Sequence, residues 1–90
     1  MHKNKHDDSF LVYLGDAIRN RRVGLYLSQE QLGLKAHLHR TYVTDVENGL
    51  RNISMITLLK IAKALKNRPS VQILAAEKAS HNEYGNKVFE

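Results

Sequence analysis

The chain has no cysteine, no tryptophan and a single proline, Pro69. Without cysteine there are no disulfides, thiolate metal sites or thiol nucleophiles, and the chain suits a reducing compartment. No apolar run approaches the length of a membrane span. The opening residues MHKNKHDDSF lack the apolar stretch of a signal peptide. The expectation is a cytoplasmic protein with no membrane partner. There is no glycine-rich phosphate loop, internal repeat, low-complexity segment or linker. Ninety residues make one small domain. So short a chain buries a modest core, and a large catalytic cleft is not expected.

What is present is positive charge, unevenly placed. The net charge is +5 and the pI about 9.7. Between Ala17 and Ala76 ten Lys/Arg face three acids (Glu30, Asp45, Glu47), a net +7. A basic middle in a small domain points to a polyanionic partner, most often nucleic acid.

Apolar spacing is helical throughout. Asp7, Asp8 and Ser9 are N-cap candidates, and Leu11, Leu14, Ala17 and Ile18 then recur at spacings of three and four, predicting helix 1 over about 9–22. Ser28 and Gln31 form a capping box that opens helix 2, with Leu32 and Ala36 turned inward. Helix 3 runs from about His39 to Asn48, closed by Gly49, which is free to take positive φ. Ser54 caps helix 4, whose apolar face is Ile56, Leu59, Ile61, Ala62 and Leu65, with Lys60, Lys63 and Lys66 opposite. Pro69 and Ser70 open helix 5, which carries Val71, Ile73, Leu74 and Ala75. The core is assigned to Leu32, Leu38, Val43, Val46, Leu58, Leu59, Ile61, Ala62 and Leu65. Residues 1–8 are expected to form a flexible arm, 9–79 the folded domain and 80–90 a tail, with a short extended segment open to Val88 and Phe89.

Catalysis finds little support. His37 and His39 lie two apart, as do Asp45 and Glu47, and positions two apart on a helix point in different directions. Neither pair makes a metal site. The five histidines are scattered, and no Ser/His/Asp arrangement stands out. The informative constellation is helix 2, a connection of about three residues, then helix 3. This is a helix-turn-helix, whose second helix fits a DNA major groove. Arg40, Thr41, Thr44 and Asp45 then face outward together. Arg40 suits guanine O6 and N7, and the threonines suit a thymine methyl or a base edge. Asp45 suits cytosine N4, or the orienting of Arg40 or another base-reading side chain. Gln29, at the exposed start of helix 2, suits a phosphate.

The pieces IRNRR (Ile18–Arg22), LSQEQLG (Leu27–Gly33), HRTYVTDVENG (His39–Gly49) and LLKIAKAL (Leu58–Leu65) resemble, in that order, the Cro/lambda-repressor or xenobiotic-response-element family of helix-turn-helix regulators. RTY followed by ENGLRNIS is especially similar to the controller proteins of restriction–modification systems. The resemblance implies an all-α fold, a five-helix lambda-repressor-like DNA-binding domain with helices 2 and 3 as the helix-turn-helix. It implies that Gln29 holds the DNA backbone, that Arg40, Thr41, Thr44 and Asp45 face bases, and that Tyr42 lies at the groove edge. Asn48, Arg51 and Asn52 would clasp phosphates, and Arg22 and Glu47 would form a structural ion pair. The chain departs from the family pattern at His37, which replaces a turn glycine. His39 replaces a Ser/Thr-type N-cap, so helix 3 is expected to start loosely, and Gly33 replaces an alanine.

A domain this small reads few base pairs, and two copies on a two-fold axis read both halves of a palindrome. Val71, Ile73 and Leu74, with part of helix 4, are the candidate dimer surface. The expectation is thus a non-enzymatic, homodimeric transcription regulator on a palindromic double-stranded operator, with neither cofactor nor metal. The alternative is an antitoxin or accessory adaptor whose main role is binding a protein partner.

Overall fold

The computed structural model describes the backbone of residues 5–84 and the side chains of residues 9–80. Five helices follow in order: α1 (Lys5–Gly24), α2 (Gln29–Ala36), α3 (Arg40–Glu47), α4 (Met55–Ala64) and α5 (Pro69–Tyr84). No strand occurs among the described residues. The two outer helices are longer than their sequence signals suggested. α1 begins at Lys5 instead of near Ser9, and α5 continues past Ser80 to Tyr84. Residues 1–4 of the expected arm, and Val88 and Phe89 of the expected tail, lie outside the described residues.

The inner helices begin at side-chain caps. Ser28 Oγ accepts from Gln31 N (3.0 Å), and Gln31 Oε1 accepts from Ser28 N (2.7 Å), closing the capping box. Ser54 Oγ accepts from Thr57 N at 3.1 Å. Gly49 follows α3 with φ +74°, the left-handed conformation that glycine takes without steric penalty.

The core gathers Leu14 and Ile18 of α1, Leu32 and Ala36 of α2, Val43 and Val46 of α3, Leu58, Ile61 and Ala62 of α4, Leu65 just beyond it, and Ala76 of α5. Ile18, Leu32 and Leu65 are wholly enclosed. Each such side chain stabilises the fold by about 1.5–3 kcal/mol relative to exposure. α1 and the end of α3 meet backbone to backbone at Gly15, where a Cβ would lie 2.5 Å from the Val46 carbonyl oxygen.

Leu59 of the expected core and Ile56 of the expected apolar face need correction. Leu59 is 47% exposed and Ile56 63% exposed. The inward stripe of α4 is Leu58, Ile61, Ala62 and Leu65, and the apolar face of this helix is wider than the domain beneath it. α5 buries a stripe that its apolar residues do not mark, namely Gln72, Ala76 and Ser80 at every fourth position. That stripe belongs to the helix packed along α1. Ile73 packs at the core edge, while Val71 and Leu74 stay 44% and 50% exposed.

Candidate nucleic-acid interface

α2 ends at His37, whose φ of 58° and ψ of 42° put it in the left-handed region. Leu38 N then donates to the Gly33 carbonyl at 2.8 Å. A Cβ at Gly33 would lie 2.6 Å from the Leu38 carbonyl oxygen. Glycine's weak helix propensity at this position therefore accompanies a close approach that alanine would push apart. Three residues, His37 to His39, carry the chain from α2 into α3.

α3 has a well-formed start. His39 has extended backbone angles, and its Nδ1 accepts from Thr41 N at 3.0 Å. Ring nitrogen does here what a serine or threonine hydroxyl does at other N-caps, so the loose start expected of this helix is not found. An accepting Nδ1 assigns the ring proton to Nε2.

Beneath α3 the anchor is Glu47, whose carboxylate is completely buried. Arg22 Nε donates to Oε2 at 2.6 Å and Arg22 Nη2 to Oε1 at 2.9 Å, a bidentate fork. Arg22 Nη1 also donates to the Leu27 carbonyl at 2.8 Å, tying in the approach to α2. The hydrogen bonds and charge of Glu47 raise the Arg22 guanidinium above its already basic range, outweighing the opposing effect of burial.

The network continues toward the surface. Gln29 Nε2 donates to Glu47 Oε1 at 3.0 Å, and the Thr44 hydroxyl donates to Gln29 Oε1 at 2.8 Å. Arg19, which sequence reasoning missed, donates from Nη2 to the Glu47 carbonyl (3.2 Å) and to Asn48 Oδ1 (3.0 Å). Its spacing of three from Arg22 on one helix was the available signal. Gln29 is held by the buried acid directly, Thr44 through Gln29, and Asn48 through Arg19.

A second cluster crosses from α3 to the following loop. Arg51 Nε donates to Asp45 Oδ2 at 3.2 Å, and its guanidinium carbon lies 5.0 Å from the centre of the Tyr42 ring. The side chain that Asp45 orients is therefore Arg51, not Arg40. Arg40, Thr41 and Asn52 are exposed. Their side chains form no hydrogen bond with any described residue. All nine candidate contact residues lie on α2, α3 and the loop after it. No group of three or more His, Cys, Asp or Glu is placed to hold a metal ion among the described residues. No helix there is long and apolar enough to cross a membrane.

Comparison with known proteins matches residues 18–72 to a helix-turn-helix family. The chain is 49% identical over 59 residues to Control protein C.BamHI of Bacillus amyloliquefaciens, covering 64% of this chain and 73% of that one. It is 42% identical over 72 residues to Control protein C.SmaI of Serratia marcescens, covering 80% and 83% respectively. The crystal structure of the restriction–modification controller protein C.AhdI from Aeromonas hydrophila superposes with a TM-score of 0.68 at 42% identity. That match covers 69% of this chain and 94% of that one.

Proposed function

This chain belongs to the helix-turn-helix family and is homologous to restriction–modification controller proteins, and from that membership we propose that it is a cytoplasmic transcription regulator that reads a palindromic operator as a homodimer. The observation that carries this reading is the division of labour on α3. Val43, Val46 and Glu47 bind the helix to the domain, while Arg40 and Thr41 stand exposed at its first turn. A helix seated this way can enter a major groove with its N-terminal residues against base edges.

In this reading Arg40 donates its fork to a guanine, and Thr41 meets a neighbouring thymine or base edge. Gln29 spends one amide N–H on Glu47 and keeps the other for a phosphate. Thr44 presents its methyl group, since its hydroxyl is taken by Gln29. Asp45 and Tyr42 hold Arg51 in position, and Arg51, Asn48 and Asn52 grip the DNA backbone. Arg22 and Glu47 keep the whole face in register.

Dimerisation is supported by apolar side chains with no cover on the single chain. Val71 and Leu74 of α5 are exposed, as are Met55, Ile56 and Leu59 of neighbouring α4. Apolar surface gathered in this way marks an interaction face. Reading both halves of a palindrome requires a two-fold axis there, with Ile73 at its inner edge, that spaces two recognition helices about 34 Å apart along the DNA. Selection of bound duplexes from a random pool tests the reading as a whole. The expected product is an inverted repeat, and a pool that enriches no sequence overturns it.

A further inference from the structure

The C-terminal ends of α2 and α4 enclose a groove of about 390 Å³ that the DNA-reading face does not use. Five basic side chains line it: Lys35, His37, Lys60, Lys63 and Lys66. Its remaining lining is Ala36 and Ala64, and no acid contributes. None of the four lysines forms an ion pair with any described residue. The basic strip continues past Lys66 to Arg68 in an adjoining groove.

Two of the three described left-handed residues other than glycine line this groove, the third being Tyr26 after α1. α2 ends at His37 with φ 58°, and the turn after α4 contains Lys66 with φ 56°. Both are left-handed positions that glycine occupies without cost and that other residues occupy under strain. At both, the chain carries a nitrogen-bearing side chain, and both side chains line the same groove. Lys35 and Lys63 sit in the last turns of their helices, where the helix dipole favours cations, and Arg21 donates to the carbonyls of Leu65 (3.0 Å) and Lys66 (3.4 Å) just beyond α4.

Lys60 and Lys63 lie on α4, which carries none of the proposed DNA contacts, and Lys35 lies about 9 Å along α2 from Gln29, while His37 stands three residues before Arg40. Lys60, Lys63 and Lys66 follow one another along α4 and just past its end, which suits a run of charges better than one phosphate. Lysine ammonium groups on flexible stems meet carboxylates without demanding a planar fork. The one ring in the groove's lining is the His37 imidazole. We propose that this groove binds an acidic segment of a protein partner. The proposal does not depend on the operator reading, because the groove is assayed on the free protein.

Anisotropy of a labelled octaglutamate peptide, titrated with the full chain at fixed ionic strength, tests it. Lys60→Gln/Lys63→Gln is expected to weaken binding about tenfold, while Lys78→Gln, which removes a cation outside the groove, leaves it unchanged. Lys66→Gly is expected to raise the melting temperature by relieving the left-handed strain while lowering peptide affinity. A purely structural lysine would not produce that opposition. Affinity for the selected duplex should be unchanged in all three variants. Equal peptide binding by the groove variants and Lys78→Gln overturns the proposal. So does binding of tripolyphosphate with none of the peptide, which would make this a small-anion site. Parallel loss of duplex affinity would move the lysines into the DNA interface and equally overturn it.

Discussion

The Glu47 carboxylate has no solvent exposure and meets the Arg22 guanidinium at 2.6 and 2.9 Å. Two charges taken out of water together are tolerable because each satisfies the other. One left alone is not. Glu47→Ala should therefore lower unfolding free energy by about 3–5 kcal/mol, whereas Arg22→Met/Glu47→Leu should lose much less. Urea denaturation of the three proteins checks this. The raised Arg22 pKa gives a contribution that is complete below arginine's ordinary range and is lost only as pH rises through the higher folded value. Alkali up to about pH 11 should thus produce no loss of stability from Arg22.

Arg40→Ala should relax base preference at one position of each half-site, costing about 1–3 kcal/mol on the preferred duplex. Asn52→Ala should weaken all duplexes alike. Competition binding against single-position operator variants separates the two patterns. Uniform weakening by Arg40→Ala would remove it from base reading.

Asp45 and Arg51 form a half-exposed pair, worth at most about 1 kcal/mol to folding. Their coupling should appear on DNA instead. In a double-mutant cycle of Asp45→Ala and Arg51→Ala, operator affinity should be clearly non-additive, since Asp45 acts through Arg51. Additive losses would mean that Asp45 touches DNA independently.

His39→Ala removes the acceptor for Thr41 N and should cost about 0.5–2 kcal/mol of stability. His39→Ser should restore it, because a hydroxyl satisfies the same N–H. Thermal denaturation of both variants reads this directly. Failure of serine to rescue would show that the imidazole contributes by packing and not by capping.

Leu74→Glu places a charge on a half-exposed site of α5 and should leave the single chain folded. In a dimer that covers this residue, the same charge would be desolvated without a partner. Sedimentation should show monomers, and operator binding should lose its two-fold cooperativity. An unchanged sedimentation coefficient would move the dimer surface elsewhere.

Local signals were legible along the chain. The Ser28 and Gln31 capping box, the Ser54 cap and the Gly49 stop each join groups no more than a few residues apart. The spacing of apolar residues marked all five helices for the same reason. The outer ends were misjudged because helices α1 and α5 support each other laterally. Nothing in MHKNKHDDSF or around Ser80 records that support locally. The wide apolar face of α4 held Leu58 and Leu59 alike, and only docking decided that Leu58 turns inward and Leu59 out.

By itself, then, the sequence determined five helices, the helix-turn-helix at α2 and α3, and the outward set beginning at Arg40. These follow from hydrogen bonds and periodicities that act within one or two helical turns. Only the tertiary structure decided which long side chains meet. Gln29 and Thr44 are fifteen residues apart and Arg19 and Asn48 twenty-nine, whereas the Arg22–Glu47 pair, twenty-five apart, was already expected from the family resemblance. A flexible side chain chooses its partner by what the packed helices bring within about 3 Å, at an angle that a hydrogen bond accepts. That choice turned Asp45 toward Arg51, bound Thr44 to Gln29, and left Lys35, Lys60, Lys63 and Lys66 around one unfilled groove.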